Sequence, residues 1–321
     1  MKTLLTILLF GILQQTLGQV TEAENKLKEQ AADTTSGWKK GGVIVLNLSQ
    51  ISLTNWAAGG ENSFSANELF SVFANYKRGN LAWDNSVDIG YGFMNQEGKT
   101  KKTDDKVDIL SKIGKKASKN LYYAALFNFK TQMTPGYHYP NDSVKISNLL
   151  APGYFVGALG MDFKPNGYIS AFLAPLTGKL TVVADQKLAD AGAFGVDKAT
   201  YDTFGNMISH GKTTRTEFGG YLRVIFSKND FKKEILKSVS LTSKLDLFSN
   251  YLKDPGKIFV NWENQIVLKV NKYLAVNINT NLLYDYYTKF PVDKNKDGTV
   301  DAMESKVQFK EILGIGFAYK F

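Results

Sequence analysis

The stretch Val307-Gln308-Phe309-Lys310-Glu311-Ile312-Leu313-Gly314-Ile315-Gly316-Phe317-Ala318-Tyr319-Lys320-Phe321 sets Val307, Phe309, Leu313, Ile315, Phe317, Tyr319 and Phe321 on one face of an extended chain. Gln308, Lys310, Gly314, Gly316, Ala318 and Lys320 fall on the other. Successive side chains of a strand point to opposite sides. An apolar face opposite a polar one, closing on aromatic residues, is the pattern of a strand with lipid on one side and a polar interior on the other.

Eleven further extended runs precede this one, at about 41–56, 62–77, 81–95, 104–117, 121–134, 149–164, 168–183, 215–227, 237–251, 258–271 and 273–288. Twelve is an even number, as a single-chain bacterial barrel with both ends in the periplasm requires. The connectors alternate in the same way. Those at Lys77–Asn80, Lys116–Asn120, Pro165–Gly167 and Lys272 are tight, and Ser227–Leu236 is moderately longer. The intervening Asn95–Asp104, Gly136–Asn148, Ala184–Arg215 and Lys289–Lys306 are long. Tight turns belong on the periplasmic side and long loops outside. The expected fold is therefore an all-β, antiparallel, up-and-down transmembrane barrel of about twelve strands over residues 41–321.

Phase is clearest near the carboxy-terminal end. Ile258, Val260, Trp262, Ile266, Leu268 and Val270 alternate with Asn261, Glu263, Gln265, Lys269 and Asn271 in the tenth run. In the eleventh, Val276, Ile278, Leu282, Tyr284 and Tyr286 alternate with Asn277, Asn279, Asn281 and Asp285. In the first run the apolar phase of Ile44, Leu46 and Leu48 switches to Ile51 and Leu53, so a bulge or a misplaced boundary is expected there.

The opening residues agree on the compartment. Lys2 precedes an apolar stretch from Leu4 to Leu13 and a small-residue exit at Thr16-Leu17-Gly18. That stretch is shorter than the roughly 18–20 apolar residues a spanning helix needs, and reads as a signal peptide over 1–18. Residues 19–40 are charged and helix-permissive and form a periplasmic amino-terminal segment. The chain has no cysteine, which excludes thiol catalysis, iron–sulfur clusters, zinc-thiolate sites and disulfides. Aromatic residues make up 13%, with sixteen Tyr and twenty-one Phe, yet the mean hydropathy is below zero. A barrel accounts for both, because its lipid face and interfacial girdles take aromatics while its interior and loops are polar. The net charge of +9 is spread over many turns instead of one face, which argues against nucleic acid and suits contact with phosphate-bearing lipid.

Several motifs together resemble a known family: Asn55-Trp56-Ala-Ala-Gly59-Gly60, Gly90-Tyr91-Gly92-Phe93, Lys102-Thr103-Asp104-Asp105, Thr131-Gln132-Met-Thr134-Pro135-Gly136-Tyr137, Ala151-Pro152-Gly153-Tyr154, Ala174-Pro175-Leu176-Thr177-Gly178-Lys179 and Tyr319-Lys320-Phe321. The family is a Bacteroidetes outer-membrane β-barrel family of unassigned function, and the resemblance runs from about Trp38 to Phe321. It implies a location and an architecture, and no catalytic residues. Phe317, Tyr319 and Phe321 also resemble the terminal signal that the outer-membrane assembly machinery recognises. That machinery and outer-membrane lipid are the expected partners.

The sharpest chemical motif is Asp293-Lys-Asn295-Lys-Asp297-Gly298-Thr299-Val300-Asp301-Ala-Met-Glu304. It places oxygen side chains at positions one, three, five, nine and twelve of a calcium loop and glycine at six. The expected ligands of a Ca2+ ion are Asp293, Asn295, Asp297, the Thr299 carbonyl, Asp301 and Glu304. Four carboxylates repel one another unless a hard cation lies between them. The flanks, however, are strands, and Lys294 and Lys296 stand beside the site. A solvated turn rich in Asp, Asn, Gly and Lys fits the same letters.

Serine hydrolysis is not supported. His138 and His210, the two histidines, both fall in loops with nothing local to fix a nucleophile or an orienting acid. The chain is read as a non-enzyme. If the phase holds, Asp84, Asp88, Asp108, Lys112, Lys130, Glu217, Arg223, Lys244, Asp246, Glu263 and Lys269 project into the lumen, with Tyr221 among them. These mixed charges fit two arrangements, a closed interior of mutual pairs or a narrow wet pathway that selects small solutes. In the loop from Ala184 to Arg215, Asp185-Gln-Lys-Leu-Ala-Asp-Ala-Gly-Ala is helix-capable and would fold over the mouth or stay exposed. The function expected is a narrow passive outer-membrane channel with a calcium-stiffened extracellular loop; the alternatives are an interaction barrel presenting its loops to envelope partners and, third, an enzyme acting on lipid or polysaccharide.

Overall fold

The computed structural model describes residues 36–53, 61–139, 142–228, 231–233, 236–271, 274–295 and 299–320. Twelve long strands make the wall: β1 (Gly37–Ile51), β2 (Ser63–Arg78), β3 (Leu81–Gln96), β4 (Lys99–Lys116), β5 (Leu121–Thr131), β6 (Gly153–Phe163), β7 (Ile169–Val182), β8 (Thr214–Lys228), β9 (Val239–Asn250), β10 (Phe259–Lys269), β11 (Ala275–Tyr284) and β12 (Gln308–Lys320). Each is antiparallel to its neighbours in sequence, and β12 returns to β1, so the sheet is a closed up-and-down barrel. The signal peptide and most of the amino-terminal segment lie outside the described residues.

The long connector expected from Asn95 to Asp104 is instead a two-residue turn. Glu97 and Gly98, both at positive φ (49° and 78°), join β3 to a β4 that already begins at Lys99. Two left-handed residues give the tight hairpin turn whose twist matches the flanking strands, and Gly98 adopts it without a Cβ penalty. The charges of Lys99–Asp105 thus belong to a ladder with Tyr91–Gln96 and not to a loop. β1 runs in unbroken register against β2, from Gly37↔Lys77 to Ile51↔Ser63. Its phase switch is a boundary effect, since Ile51 is the last residue of the strand and Leu53 lies beyond it. Register shifts occur elsewhere, between Leu159 and Met161 on β6 and between Gly219 and Tyr221 on β8. Glycine is required at both: a Cβ on Gly160 would lie 2.1 Å from the Leu173 carbonyl oxygen, and one on Gly219 1.8 Å from that of Ser249.

The barrel has two unlike ends. Gly37, Lys320 and the short connections after β2, β4, β6, β8 and β10 share one, the tight-turn end. The loops after β5, β7 and β11, which carry small hairpins and a short helix, share the other, the loop end.

Burial is inverted relative to a soluble domain. Leu48, Phe127, Leu159, Leu173, Trp262, Leu313 and Phe317 are exposed on the outer face, whereas Asp84, Asp108, Lys112, Asp162, Arg223 and Asp246 are buried within. Water would not tolerate that exterior, and a bilayer would: a closed barrel pairs its backbone groups internally and offers lipid an apolar surface. At the tight-turn rim Trp38 lies against Tyr76 and Trp83, with ring centroids 5.2 and 5.7 Å apart. Two outward-facing indoles find hydroxyl acceptors for their N–H groups on the neighbouring strand. Trp83 donates to Ser111 Oγ at 2.9 Å and Trp262 to Ser243 Oγ at 2.8 Å. On β12 the alternation continues through two residues of the wrong polarity, with Glu311 exposed on the outer face and Ile312 lining the lumen. Of the expected assembly signal, Phe317 stands on the outer face, and the side chains of Tyr319 and Phe321 are outside the described set.

Candidate functional site in the barrel lumen

Inward-facing positions follow from register. Asp108 on β4 sits opposite Lys130 on β5, Arg223 on β8 opposite Asp246 on β9, and Lys244 on β9 opposite Glu263 on β10. Strand pairing therefore sets three opposite-charge couples side by side before any long-range contact forms.

The couples then join across the bore. Lys106 Nζ on β4 lies 3.0 Å from Glu263 Oε2 on β10, and those strands are six apart in either direction round the ring. Lys130 Nζ reaches Glu263 Oε1 at 3.1 Å and Asp108 Oδ2 at 3.3 Å, and Lys244 Nζ reaches Glu263 Oε2 at 3.4 Å and Asp108 Oδ2 at 3.6 Å. Three ammonium groups from opposite walls thus converge on one carboxylate. Arg223 holds Asp246 through two bonds, Nε to Oδ1 at 2.6 Å and Nη2 to Oδ2 at 2.9 Å, and the Tyr221 hydroxyl donates to Oδ1 at 2.6 Å. Asn128 Nδ2 donates to Asp108 Oδ1 at 2.6 Å and Asn261 Nδ2 to Glu263 Oε1 at 3.0 Å. Asp108, Arg223 and Asp246 are buried, and charges withdrawn from water are tolerable only when paired and hydrogen-bonded, as these are.

This ionic chord divides the interior into unlike halves. On the β5–β9 side Leu126, Ala158, Phe172, Ala174, Tyr221 and Phe248 form a buried apolar cluster that fills the space. Nearer the tight-turn end the same side is closed by Lys112 Nζ to Asp162 Oδ2 at 2.7 Å, and by Lys164, which reaches Asp84 at 3.3 Å and Asp162 at 3.4 Å. The other side is lined by carboxamides, Asn47, Asn67, Asn75, Asn261, Asn279 and Asn281. A single cavity of about 610 Å³ touches residues of all twelve strands. It runs from Asn75 and Asp84 near the tight-turn end to Phe194, Asp285 and Thr288 at the loop end.

Of the residues expected to line the lumen, Asp84, Asp88, Asp108, Lys130, Arg223, Lys244, Asp246 and Glu263 border this cavity. Asp88 also accepts a bond from the Ser71 hydroxyl. Three do not border it. Lys112 is spent on Asp162 in the packed half, Glu217 pairs with Lys179 at 3.4 Å and Arg215 at 3.2 Å under the loops, and Lys269 keeps the inward parity of β10 at its tight-turn end. Sequence reading passes over Lys106, Asp162, Lys164 and Asn47. Lys106 shares the parity of Asp108 and Lys112 on one strand, and that signal alone would have placed it inside.

The loop after β7 folds over the mouth. Its helix, Gln186–Asp190, buries Leu188 and Ala189 with Ala151, Val183 and Val196. Phe194 lines the cavity, and Arg215 Nη1 donates to the Gly195 carbonyl at 3.2 Å while its guanidinium lies 4.8 Å from the Tyr287 ring centre. The loop is thereby tied to the wall below it.

A family described as "Protein of unknown function (DUF3078)" matches residues 48–137. No curated protein matches the chain. Among solved structures the chain is similar to the COG4313 outer membrane channel from Pseudomonas putida F1, with 9% identity, coverage of 90% of this chain and 97% of that one, and a TM-score of 0.40. It is similar also to the translocator domain of autotransporter NalP from Neisseria meningitidis, at 10% identity, 94% of each chain and a TM-score of 0.34. A third likeness is to outer membrane phospholipase A from Escherichia coli, at 10% identity, 94% of this chain and 98% of that one, and a TM-score of 0.33. These likenesses are distant, so the lumen's own geometry has to carry the functional reading.

The two histidines are in loops. His210 Nδ1 lies 3.1 Å from Asp190 Oδ2 on an exposed edge, and the neighbouring Ser209 hydroxyl is engaged with Thr200 Oγ1 at 2.7 Å. The acidic loop before β12 is a small hairpin, with Phe290–Val292 paired to Ala302–Glu304. Asp301 Oδ2 accepts the N–H of Lys294 at 2.7 Å and that of Asn295 at 3.4 Å, while Lys294 Nζ lies 2.9 Å from Glu304 Oε1. Lys294 holds the Glu304 carboxyl below its usual range. Among the described residues no group of three or more acidic or histidine side chains is placed to hold a metal ion, and Asp297 lies outside that set.

Proposed function

We propose that this chain is an outer-membrane barrel that acts as a narrow passive channel for small solutes, with its tight-turn end toward the periplasm. The observation that carries the reading is the lumen itself. One cavity, bordered by all twelve strands, runs along the carboxamide wall and the ionic chord and meets the apolar cluster at Tyr221 and Phe248, while Leu126, Ala158, Phe172 and Ala174 stand back from it. Neutral polar groups beside paired charges let a solute exchange its hydration shell without being trapped by a single strong site. Purified protein in planar bilayers is expected to give stepwise ion conductance. Glu263→Ala removes the carboxylate that spans the bore and leaves three lysines facing it, so it should raise conductance and shift selectivity toward anions; Lys244→Ala should shift selectivity the other way. Protein that stays silent at every voltage would overturn the reading.

The hairpin before β12 belongs to the same proposal as a calcium-stiffened extracellular loop. Occupancy requires Glu304 to leave Lys294, and Asp301 already draws the backbone at Lys294 and Asn295 inward. Calcium at millimolar levels is expected to protect this hairpin from proteolysis, and Lys294→Ala should lower the concentration needed. Unchanged cleavage with and without calcium would remove it. A second reading, an interaction barrel presenting loops to envelope proteins, is favoured by the hairpin of Thr200–Tyr201 and Met207–Ser209. Asp202 fixes its turn through the N–H groups of Phe204 and Asn206, both at 2.8 Å, and Phe204 is left 89% exposed. Co-purification of an envelope protein that is lost on Phe204→Ser would support this reading over the channel.

A further inference from the structure

A barrel in lipid avoids free edges by pairing each strand along its length, and the seam between β1 and β12 departs from this. β1 is paired with β2 over its whole length, from Gly37 to Ile51, but with β12 only from Val43↔Lys320 to Asn47↔Gly316. Continuing that register would set Leu48, Ser49, Gln50 and Ile51 against Ile315, Gly314, Leu313 and Ile312. Those residues are not paired across the seam. On its far edge β12 stays paired with β11 through the same stretch, from Gln308 to Gly316. The two edges therefore part in the loop-end half of the wall.

Asn47 occupies the apex of the split. A Cβ on Gly316 would lie 1.9 Å from its Oδ1, and one on Gly314 2.9 Å from its Cγ, so the two glycines make the space this side chain fills. Its Oδ1 is buried and accepts no hydrogen bond. An orphaned acceptor and two unpaired edges meet at one place.

The split joins two environments. On the outer side Leu48, Phe309, Leu313 and Ile315 are exposed and apolar. On the inner side Asn47, Gln308, Lys310 and Ile312 line the cavity, and Lys310 Nζ lies 2.7 Å from Asp104 Oδ1. A purely apolar occupant would leave the edge N–H and C=O groups unsatisfied, at the penalty attached to any unpaired backbone group in hydrocarbon. A purely polar one would leave the apolar rim wet. A molecule with a polar head and a hydrocarbon tail satisfies both.

We propose that the split between β1 and β12 is a lateral portal for an amphiphile, whose polar head meets the unpaired strand edges and Asn47 on the lumen side while its tail extends into the bilayer. The proposal rests on the channel reading and gives that channel one class of cargo. The test uses the current of the full chain in planar bilayers. Dodecylphosphocholine below its micellar concentration is expected to interrupt the current, while phosphocholine, the same head without a tail, leaves it steady. Leu48→Cys with Ile315→Cys introduces two thiols into a chain that has none, so any disulfide formed within one chain is the intended one, and non-reducing electrophoresis separates it from a cross-linked pair. Oxidation should abolish the interruptions and keep the current, and reduction should restore them. Ile315→Trp, which fills the split without chemistry, should act in the same way where oxidation does not join the cysteines. Interruptions that persist with the seam joined or filled, or that never depend on the tail, overturn the portal and leave the channel standing; absence of current overturns the channel reading on which the portal depends.

Discussion

Asp246 shows how the interior is held together at the level of a single side chain. Both its oxygens are taken by Arg223, Tyr221 adds a third bond, and the two charged side chains are 5% and 3% exposed. Breaking such a pair from one side leaves an uncompensated buried charge, which costs about 3–5 kcal/mol. Asp246→Ala should therefore lower the urea midpoint of the detergent-solubilised barrel far more than Asp285→Ala, whose partner Arg215 keeps Glu217 at 3.2 Å. Equal midpoints would show that the bond to Arg223 carries no special weight. Charge identity and inward parity at these positions are legible in the sequence. The partners are not: Lys106 and Glu263 are 157 residues apart, and nothing local says that their side chains meet across a bore.

At the scale of elements, alternation reveals the strands but not the irregularities that shape them. The charges of Lys99–Asp105 imitate a loop, and only Gly98 signals that a tight turn has already reversed the chain. The bulge glycines are equally quiet, since Gly160 and Gly219 read as ordinary small residues until the facing carbonyls of Leu173 and Ser249 are known. Gly160→Ala should destabilise the barrel by roughly 1–3 kcal/mol, the usual penalty for forcing atoms into filled space. The same denaturation curves would show it, and a neutral outcome would mean that the bulge yields. The mouth loop invites a pH test. Bonds from Gln186, the Gly211 N–H and His210 hold the Asp190 carboxyl below its usual range. A lowered folded value gives stability that is complete above the unfolded pKa, about 3.9, and is lost as pH falls through the folded value. Tryptic-style cleavage is unsuited to that range, but pepsin should cut residues 183–213 increasingly as pH drops below the unfolded value, and Asp190→Asn should be cut at an extent that no longer follows this titration.

For the molecule as a whole, the order of strands makes the interior lopsided. Strands rich in small and apolar inward residues, β5 to β9, are consecutive in sequence and hence adjacent in the ring, so their side chains fill one side together. Those that face inward with carboxamides and glycines, β10 to β12 with β1 and β2, are likewise contiguous through the closing seam. The chord of Lys106, Lys130, Lys244 and Glu263 stands where the two sectors meet. Strand count and polarity could be read from the chain, but this division could not, because it depends on which sectors face each other once the ring closes. It predicts a directional effect of bulk. Asn279→Trp, in the carboxamide sector, should bring single-channel current close to the baseline while leaving the folded fraction unchanged. Phe172→Leu, a fully buried change in the packed sector, should loosen the barrel by about 1 kcal/mol yet leave the current at its normal level. If Phe172→Leu instead raises the current, solute passes beside Phe172 as well and the packed half is not closed.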